Sequence, residues 1–253
     1  MAIPILVQIL LAVFAVSFIS LVGVTALYLN KSLDELLNYL VSFAVGGLLG
    51  AAFLELLPEA VEQTPHWGII VLLGIIFFFI IEMYFHWHHH HTHAKCGHKH
   101  IHPIGYLNLI GDGIHNFIDG MIIAAAFLMD PKLGIVTTLA VIVHEIPQEF
   151  GDFGILVFSG FSKLKAMMFN LITALLAVAG ALVTYFTTEL TGDFSMYLIP
   201  FAAGGFIYMA AADLLPEIHK HSGKEIYETV AQIGLIFLGI GIIWVLGLYF
   251  KGG

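Results

Sequence analysis

The sequence predicts an all-α integral membrane protein with eight transmembrane helices in a 3+2+3 arrangement with inverted repeats. Of the 253 residues, 59% are hydrophobic and only 11% are charged, whereas about 45–50% of a soluble domain is apolar. The mean hydropathy is +0.95. Apolar stretches long enough to cross a bilayer recur along the chain, and one seventeen-residue pattern occurs twice. These observations together favour a polytopic membrane protein over any soluble fold.

Eight apolar segments have the length of a membrane-spanning helix, which is about 20 residues. Polar residues, glycine or proline interrupt the chain between them, as at Asn30-Lys31-Ser32 and Asp130-Pro131, and such residues mark turns. The first segment is too long for the core of a signal peptide, so we expect it to be retained. We expect residues 1–253 to form a single transmembrane domain. The segments are residues 3–29, 36–59, 67–87, 104–129, 133–159, 163–188, 195–217 and 226–250.

The basic residues predict the orientation, since cytoplasmic loops carry an excess of lysine and arginine. All nine are lysines. An external N-terminus leaves only Lys132 and Lys251 outside, so we expect both termini outside the cell membrane. The cytoplasmic loops then hold Lys31, Lys95, Lys99, Lys163, Lys165, Lys220 and Lys224.

The repeated pattern relates the second predicted span to the seventh. Residues 43–59 and 201–217 are identical at nine of seventeen positions, including a Gly-Gly pair and a Leu-Leu-Pro-Glu ending. The two spans run in opposite directions in the predicted topology, so the repeat is inverted. Inverted repeats with a binding site near the membrane midplane are typical of secondary transporters.

Two polar stretches lie inside the fourth and fifth apolar segments, where an ionisable side chain indicates a functional site. Residues four apart share a helix face, which pairs His115 with Asp119 and His144 with Gln148. Nitrogen and oxygen ligands together suit Zn²⁺ or Fe²⁺. We expect one ion to bind His115, Asp119, His144 and Gln148, and a neighbouring ion to share Asp119 and use Asn116, Glu145 and Glu149. The alternative is a polar network that joins the two helices by hydrogen bonds.

Further acids lie in the apolar segments, yet no lysine or arginine lies in the fourth and fifth segments to balance the charge, and a buried carboxylate needs a cation or a proton. Asp112 and Asp152 are expected to line an exit route, unless they bond to neighbouring polar groups. Four acids of the repeated pattern are expected to line an entrance and an exit, unless Glu59 and Glu217 only meet water at the ends of their helices. They are Glu55, Glu59, Asp213 and Glu217.

A histidine-rich loop over residues 86–103 is predicted to face the cytoplasm. Its composition favours metal binding, but it lacks the regular ligand spacing of a zinc finger. We therefore expect a flexible chelating or sensing loop, with a soluble tether as the alternative. The candidate ligands are His88, His89, His90, His91, His93, Cys96, His98 and His100.

The runs from Asp112 to Gly120 and from His144 to Phe153 resemble the fourth and fifth helices of the ZIP family of divalent-metal transporters, especially its LIV-1-like branch. At Gln148 the sequence departs from the family, which often has His or Glu there. The resemblance implies import into the cytoplasm by alternating access, with a bundle containing the fourth and fifth helices moving against a scaffold that includes the second and seventh. Zn²⁺ is the first candidate substrate, followed by Fe²⁺, Mn²⁺ and Cd²⁺.

The expected partners are divalent metal ions and the lipid bilayer, and a homodimer is among the assemblies that the sequence allows. A net charge of −9 argues against nucleic acid, whose binding needs a basic face. A membrane-embedded di-metal hydrolase or oxidase is the rival, because His144-Glu145-Ile146-Pro147-Gln148 stops one residue short of the His-Glu-x-x-His signature. A cation-diffusion exporter is a third alternative, which the eight spans disfavour.

Overall fold

The computed structural model describes residues 3–29, 34–90, 103–191, 194–216, 218 and 226–251, and no strand occurs among them. Ten α-helices and two π-helical segments make up nearly all of this described part. They are α1 (Ile5–Leu29), α2 (Asp34–Gly50), π1 (Ala51–Leu56), α3 (Leu57–Gln63), α4 (Trp67–His90), α5 (Pro103–Met129), α6 (Pro131–Phe158), α7 (Lys163–Ala174), α8 (Leu176–Thr191), α9 (Phe194–Tyr208), π2 (Met209–Leu214) and α10 (Ile226–Lys251).

Five helical stretches of the described residues are long and apolar enough to cross a membrane, which confirms an all-α membrane protein. They are Tyr39–Gln63, Asn108–Met129, Lys163–Thr191, Phe194–Ala212 and Ile226–Leu248, and Ile5–Ile19 and Trp67–Met83 are shorter apolar helices. The 28-residue α6 is long enough to cross as well, but its acids lower its hydropathy. The expectation that the chain crosses the membrane eight times stays a prediction.

The sixth predicted span differs from the expectation of one unbroken helix. It is interrupted at Leu175, which separates α7 from α8. The hydroxyl of Ser17 on α1 donates a hydrogen bond to the Ala174 carbonyl at 2.8 Å. A side chain of another helix therefore satisfies a carbonyl at the break.

The helices form two groups in contact. In the first, which we name the site bundle, α5 packs on α8 and α6, and α1 packs on α6 and α7. In the second, the flanking bundle, α2 packs on α10 and α4 packs on α9. Contacts of α2 with α6 and of α5 with α9 join the two bundles. Fully buried apolar residues fill the centre, among them Ile122, Ile123, Leu56, Ile199 and Phe206.

Glycines bring helices together inside each bundle. A Cβ atom on Gly120 of α5 would meet the Ala177 carbonyl of α8, and one on Gly180 would meet the Phe117 carbonyl. Small residues permit this close approach, which stabilises helix pairs in membranes by packing. The flanking bundle has the same kind of contact at Gly46, Gly74, Gly204 and Gly239.

The two π-helical segments occupy equivalent positions in the repeat. The offset that aligns Phe43 with Phe201 also aligns the first and last residues of π1 with those of π2. A proline follows each segment two residues later, at Pro58 and Pro216. Proline has no N–H and its ring clashes with the preceding turn, which a wider turn accommodates. Each segment carries an acid at its fifth position, Glu55 in π1 and Asp213 in π2.

We expect Gly120→Ala to lower the melting temperature of the detergent-purified protein by several degrees. The added methyl group meets backbone atoms that cannot rotate away, and such overpacking costs about 1–3 kcal/mol. Gly241→Ala is the matched control, because a Cβ atom there meets nothing within 4 Å. Equal melting temperatures for the two variants would contradict the close α5–α8 contact.

Candidate metal site

Four side chains from α5 and α6 converge on one point. His115 and Asp119 come from α5, His144 and Glu145 come from α6, and one ligand atom of each lies within 4.8 Å of the other three. The His144 Nε2 atom is 3.2 Å from Asp119 Oδ2 and 3.4 Å from His115 Nε2. The Glu145 Oε1 atom is 3.4 Å from His115 Nε2 and 3.6 Å from His144 Nε2. We name these four residues the histidine cluster.

The spacing of the histidine cluster suits a tetrahedral ion. Bonds of about 2.0–2.1 Å, as in zinc sites, separate tetrahedral ligand atoms by about 3.3–3.4 Å. The distance from His115 Nε2 to Asp119 Oδ2 is also 3.4 Å, so five ligand pairs span 3.2–3.6 Å. Asp119 and Glu145 are almost completely buried. Two carboxylates and two imidazoles at this spacing could hold one divalent cation and balance its charge.

A backbone contact orients the ring of His144. Its Nδ1 atom lies 3.1 Å from the Ala140 carbonyl oxygen, which can only accept a hydrogen bond. The Nδ1 atom therefore carries the proton and donates, which leaves the Nε2 lone pair directed at the cluster. Two rings of the flanking bundle enclose the histidines, because Phe78 stands edge-on to His115 and Phe206 edge-on to His144.

The other predicted ligands lie around the cluster. Gln148 lines a cavity together with His115 and His144. The Asn116 amide nitrogen donates to Asp112 Oδ1 at 2.7 Å. Glu149 is buried, and neither of its carboxylate oxygens has a hydrogen-bond partner. Glu145, which the sequence assigned to a second ion, lies with the residues assigned to the first.

A cavity of about 290 Å³ connects the histidine cluster with the flanking bundle. Most of its lining is apolar, and its lining residues include neither Asp112 nor Asp152. Glu82 of α4 contributes a carboxylate, which accepts a hydrogen bond from the Tyr208 hydroxyl of α9. Sequence reasoning gave this pair no role, because one acid near the end of a span resembles an ordinary interfacial residue.

A second cavity of about 250 Å³ lies at the end of the protein where α5 turns into α6. Glu55 and Glu59 line it together with Asp130 and Lys132. The Gln63 amide donates to the Glu59 carboxylate. The two predicted pathway acids of the first repeat therefore line the same cavity, and their role in an entrance stays a prediction.

The structure leaves some predicted positions undescribed. The backbone of Asp213 lies in π2, and His88, His89 and His90 lie in the last turn of α4. Glu217, His91, His93, Cys96, His98 and His100 lie outside the described residues.

The fold and the site together define the class of protein to which this chain belongs. The chain is a helical membrane protein in which side chains of α5 and α6 form a nitrogen- and oxygen-ligand site that could hold a divalent metal ion. The family profile described as "ZIP Zinc transporter" matches residues 6–103 and 88–247. The chain belongs to this family.

Individual relatives agree with the family profile. The chain is 34% identical to "Zinc transporter ZIP13" of Pongo abelii over 230 residues, which cover 84% of this chain and 67% of the relative. It is 32% identical to "Zinc transporter ZIP13 homolog" of Drosophila melanogaster, over 88% of this chain and 81% of the relative. It is 42% identical to "Zinc transporter zipt-7.2" of Caenorhabditis elegans, over 57% of this chain and 32% of the relative.

These matches confirm the resemblance that the two polar motifs indicated. They also confirm divalent-metal transport as the kind of function, and the chain is a transporter rather than an enzyme. The hydrolase or oxidase alternative receives no support from the site or from the relatives.

We expect Gln148→His to tighten Zn²⁺ binding about tenfold, which corresponds to about 1.4 kcal/mol. A third imidazole beside His115 and His144 is a softer ligand than an amide oxygen, so preference for Zn²⁺ over Mn²⁺ should also rise. Calorimetric titration of the purified protein with each ion measures both quantities. Unchanged affinity and unchanged preference would show that residue 148 does not contact the ion.

Proposed function

We propose that this chain carries Zn²⁺ across a membrane into the cytoplasm, through the histidine cluster between α5 and α6. Fe²⁺, Mn²⁺ and Cd²⁺ are further candidate substrates, and one or two ions bind at a time. The observation that carries the proposal is the tetrahedral spacing of His115, Asp119, His144 and Glu145. Their burial supports it: α5 contains no lysine or arginine, and Lys132 of α6 is exposed in the first turn, so a passing cation would compensate the charge of the buried acids.

The proposed architecture has eight spans in a 3+2+3 arrangement, and helix contacts support it. Under an inverted repeat the second span is equivalent to the seventh and the third to the eighth. The second and eighth spans contain α2 and α10, and the seventh and third contain α9 and α4. A contact of α2 with α10 should therefore have an equivalent between α9 and α4. Both contacts occur. The contacts of α8 with α5 and of α1 with α6 are related in the same way. The matched placement of π1 and π2 is further support.

The proposed mechanism is alternating access, in which the site bundle moves against the flanking bundle. The cavity that includes His115 and His144 extends to Glu82, near the end of α4. The other cavity lies at the α5–α6 turn and contains Glu55 and Glu59 but no member of the histidine cluster. The cavity at the histidine cluster therefore leads toward the C-terminal part of α4, which is cytoplasmic in the proposed orientation.

Other parts of the proposal concern the surroundings of the transport path. We place the protein in the plasma membrane with both termini outside, and we assign chelation of cytoplasmic metal to the histidine-rich stretch of residues 86–103, which begins in the last turns of α4. Exposed apolar side chains on α4 and α10, such as Leu72, Ile76, Phe237 and Trp244, suit contact with lipid or with a second copy in a homodimer.

The test is zinc uptake by proteoliposomes that contain the purified protein. We expect His115→Ala and His144→Ala each to reduce the initial uptake rate at least tenfold, because each removes a nitrogen ligand of the ion. His66→Gly is the control, since it removes a histidine outside the cluster at a position of positive φ (57°), which glycine adopts readily. Uptake near the wild-type rate in both alanine variants would refute the proposed route.

Deleting residues 88–100 should leave basal uptake within about twofold of wild type but abolish its response to zinc loaded inside the vesicles. A loop outside the membrane cannot supply ligands to a site between α5 and α6, although it can bind released metal. Uptake is measured with and without internal zinc. Complete loss of uptake by a correctly inserted deletion protein would place the loop in the transport path.

A further inference from the structure

We propose that the carboxylate of Glu82 on α4 binds the metal ion after the ion leaves the histidine cluster. Glu82 is then a further residue of the transport path, placed between the cluster and the end of α4 that is cytoplasmic in the proposed orientation. The inference deepens the proposed function and rests on it, because an ion reaches Glu82 by this route only if it passes through the histidine cluster.

The spacing along α4 places Glu82 one turn beyond a ring that contacts the cluster. Phe78 stands edge-on to His115, with the ring centroids 6.2 Å apart. Phe78 and Glu82 are four residues apart, so they share a helix face and differ by about 6 Å along the helix axis. Both residues line the cavity that contains His115 and His144. The Glu82 carboxylate is therefore the next polar group on α4 beyond the contact with His115.

Helix α9 presents a matching arrangement. Phe206 stands edge-on to His144, with the ring centroids 5.8 Å apart, and Tyr208 follows two residues later. The Tyr208 ring packs edge-on against Phe79 at a centroid distance of 6.4 Å, and its hydroxyl donates a hydrogen bond to Glu82 Oε2. On both helices, a member of this hydrogen-bonded pair therefore follows a histidine-contacting ring within about one turn.

Charge distinguishes Glu82 from the rest of the cavity. It is the one carboxylate among the described residues that line this space, and the other polar lining residues are His115, His144, Gln148 and Tyr208. A divalent ion that leaves the cluster loses the carboxylates that balanced its charge, and a fixed carboxylate farther along lowers that cost. Acidic side chains line cation channels for the same reason, and each site there must bind an ion weakly enough to let it leave.

The hydrogen bond from Tyr208 leaves the Glu82 carboxylate able to bind metal. A carboxylate has about four lone-pair sites on its two oxygens, and the Tyr208 hydroxyl occupies one of those on Oε2. The Glu82 side chain is only partly buried, so water can solvate it until an ion arrives. A single carboxylate is also a weaker site than the four ligands of the histidine cluster, which suits a step of release.

A structural latch between α4 and α9 is the competing explanation for the pair of Glu82 and Tyr208. Glycines already interlock these two helices, because a Cβ atom on Gly74 would meet the backbone of α9 and one on Gly204 would meet the backbone of α4. Close backbone packing of this kind holds membrane helices together without a side-chain hydrogen bond. We therefore expect the charge of Glu82 to matter for transport and the bond from Tyr208 to matter little.

The experiment measures initial rates of zinc uptake by proteoliposomes over a range of Zn²⁺ concentrations, together with the calorimetric Zn²⁺ affinity of the purified full-length protein. Glu82→Gln keeps an acceptor for the Tyr208 hydroxyl but removes the charge. We expect its maximal rate to fall at least fivefold, with KM not raised and Zn²⁺ affinity within threefold of wild type. Tyr208→Phe removes the hydroxyl and keeps the charge, so its maximal rate should stay within twofold. Glu189→Gln, which changes an exposed acid of α8, is the matched control and should alter none of these values.

Two results would overturn this role of Glu82. A maximal rate in Glu82→Gln equal to that of Glu189→Gln would show that the ion does not need the carboxylate. A rate in Tyr208→Phe as low as that in Glu82→Gln would assign the pair to a structural latch.

A second pair of variants applies if Glu82→Gln does not elute as folded protein in size-exclusion chromatography. Glu82→Asp and Glu82→Asn have equal length and differ in charge, and the aspartate variant should be at least threefold faster. Equal rates in these two would likewise overturn the role of Glu82. Unimpaired zinc uptake by His144→Ala would instead refute the route through the histidine cluster, a failure that is separate from these results.

Discussion

Charge compensation inside the membrane-spanning region is the constraint on which the rest of this structure depends. Five acids lie on α5 and α6, and Lys132 in the first turn of α6 is the one lysine or arginine of these two helices. A carboxylate in a low-dielectric interior needs a positive partner. The histidine cluster gathers two of these acids around a place for a divalent ion, and each of the remaining three is a carboxylate with a buried oxygen that accepts no hydrogen bond.

Much of the candidate site could be predicted from helix periodicity. His115 and Asp119 share a face because they are four residues apart, and this spacing is a property of one helix alone. The position of Glu145 beside His115, Asp119 and His144 could not be predicted in the same way. It depends on the rotation of α6 relative to α5 and on the direction of the side chain, which brings Glu145 Oε1 to 3.4 Å from His115 Nε2. Neither quantity is contained in the periodicity of a single segment.

The fold shows the same division between local and long-range information. Composition predicted membrane helices, and the repeat predicted related halves. The break at Leu175 was not predictable, because the Ser17 hydroxyl that bonds to the Ala174 carbonyl is 157 residues away in the sequence. The π-helical segments had a visible signal in Pro58 and Pro216, but the number of residues that adopt the wider turn depends on how backbone bonds rearrange around each proline.

The glycine contacts have a consequence for how sequence changes would act on this protein. Gly120 and Gly180 interlock backbones within the site bundle, and Gly74 and Gly204 do so within the flanking bundle. Between the bundles, larger rings such as Phe78 and Phe206 meet the histidines. Interlocked backbones resist sliding, whereas rings can change partners at modest cost. Substitutions at the glycine contacts should therefore act on folding yield, and substitutions at the ring contacts should act on turnover, so the two kinds of variant would separate in a mutational screen that records both expression and uptake.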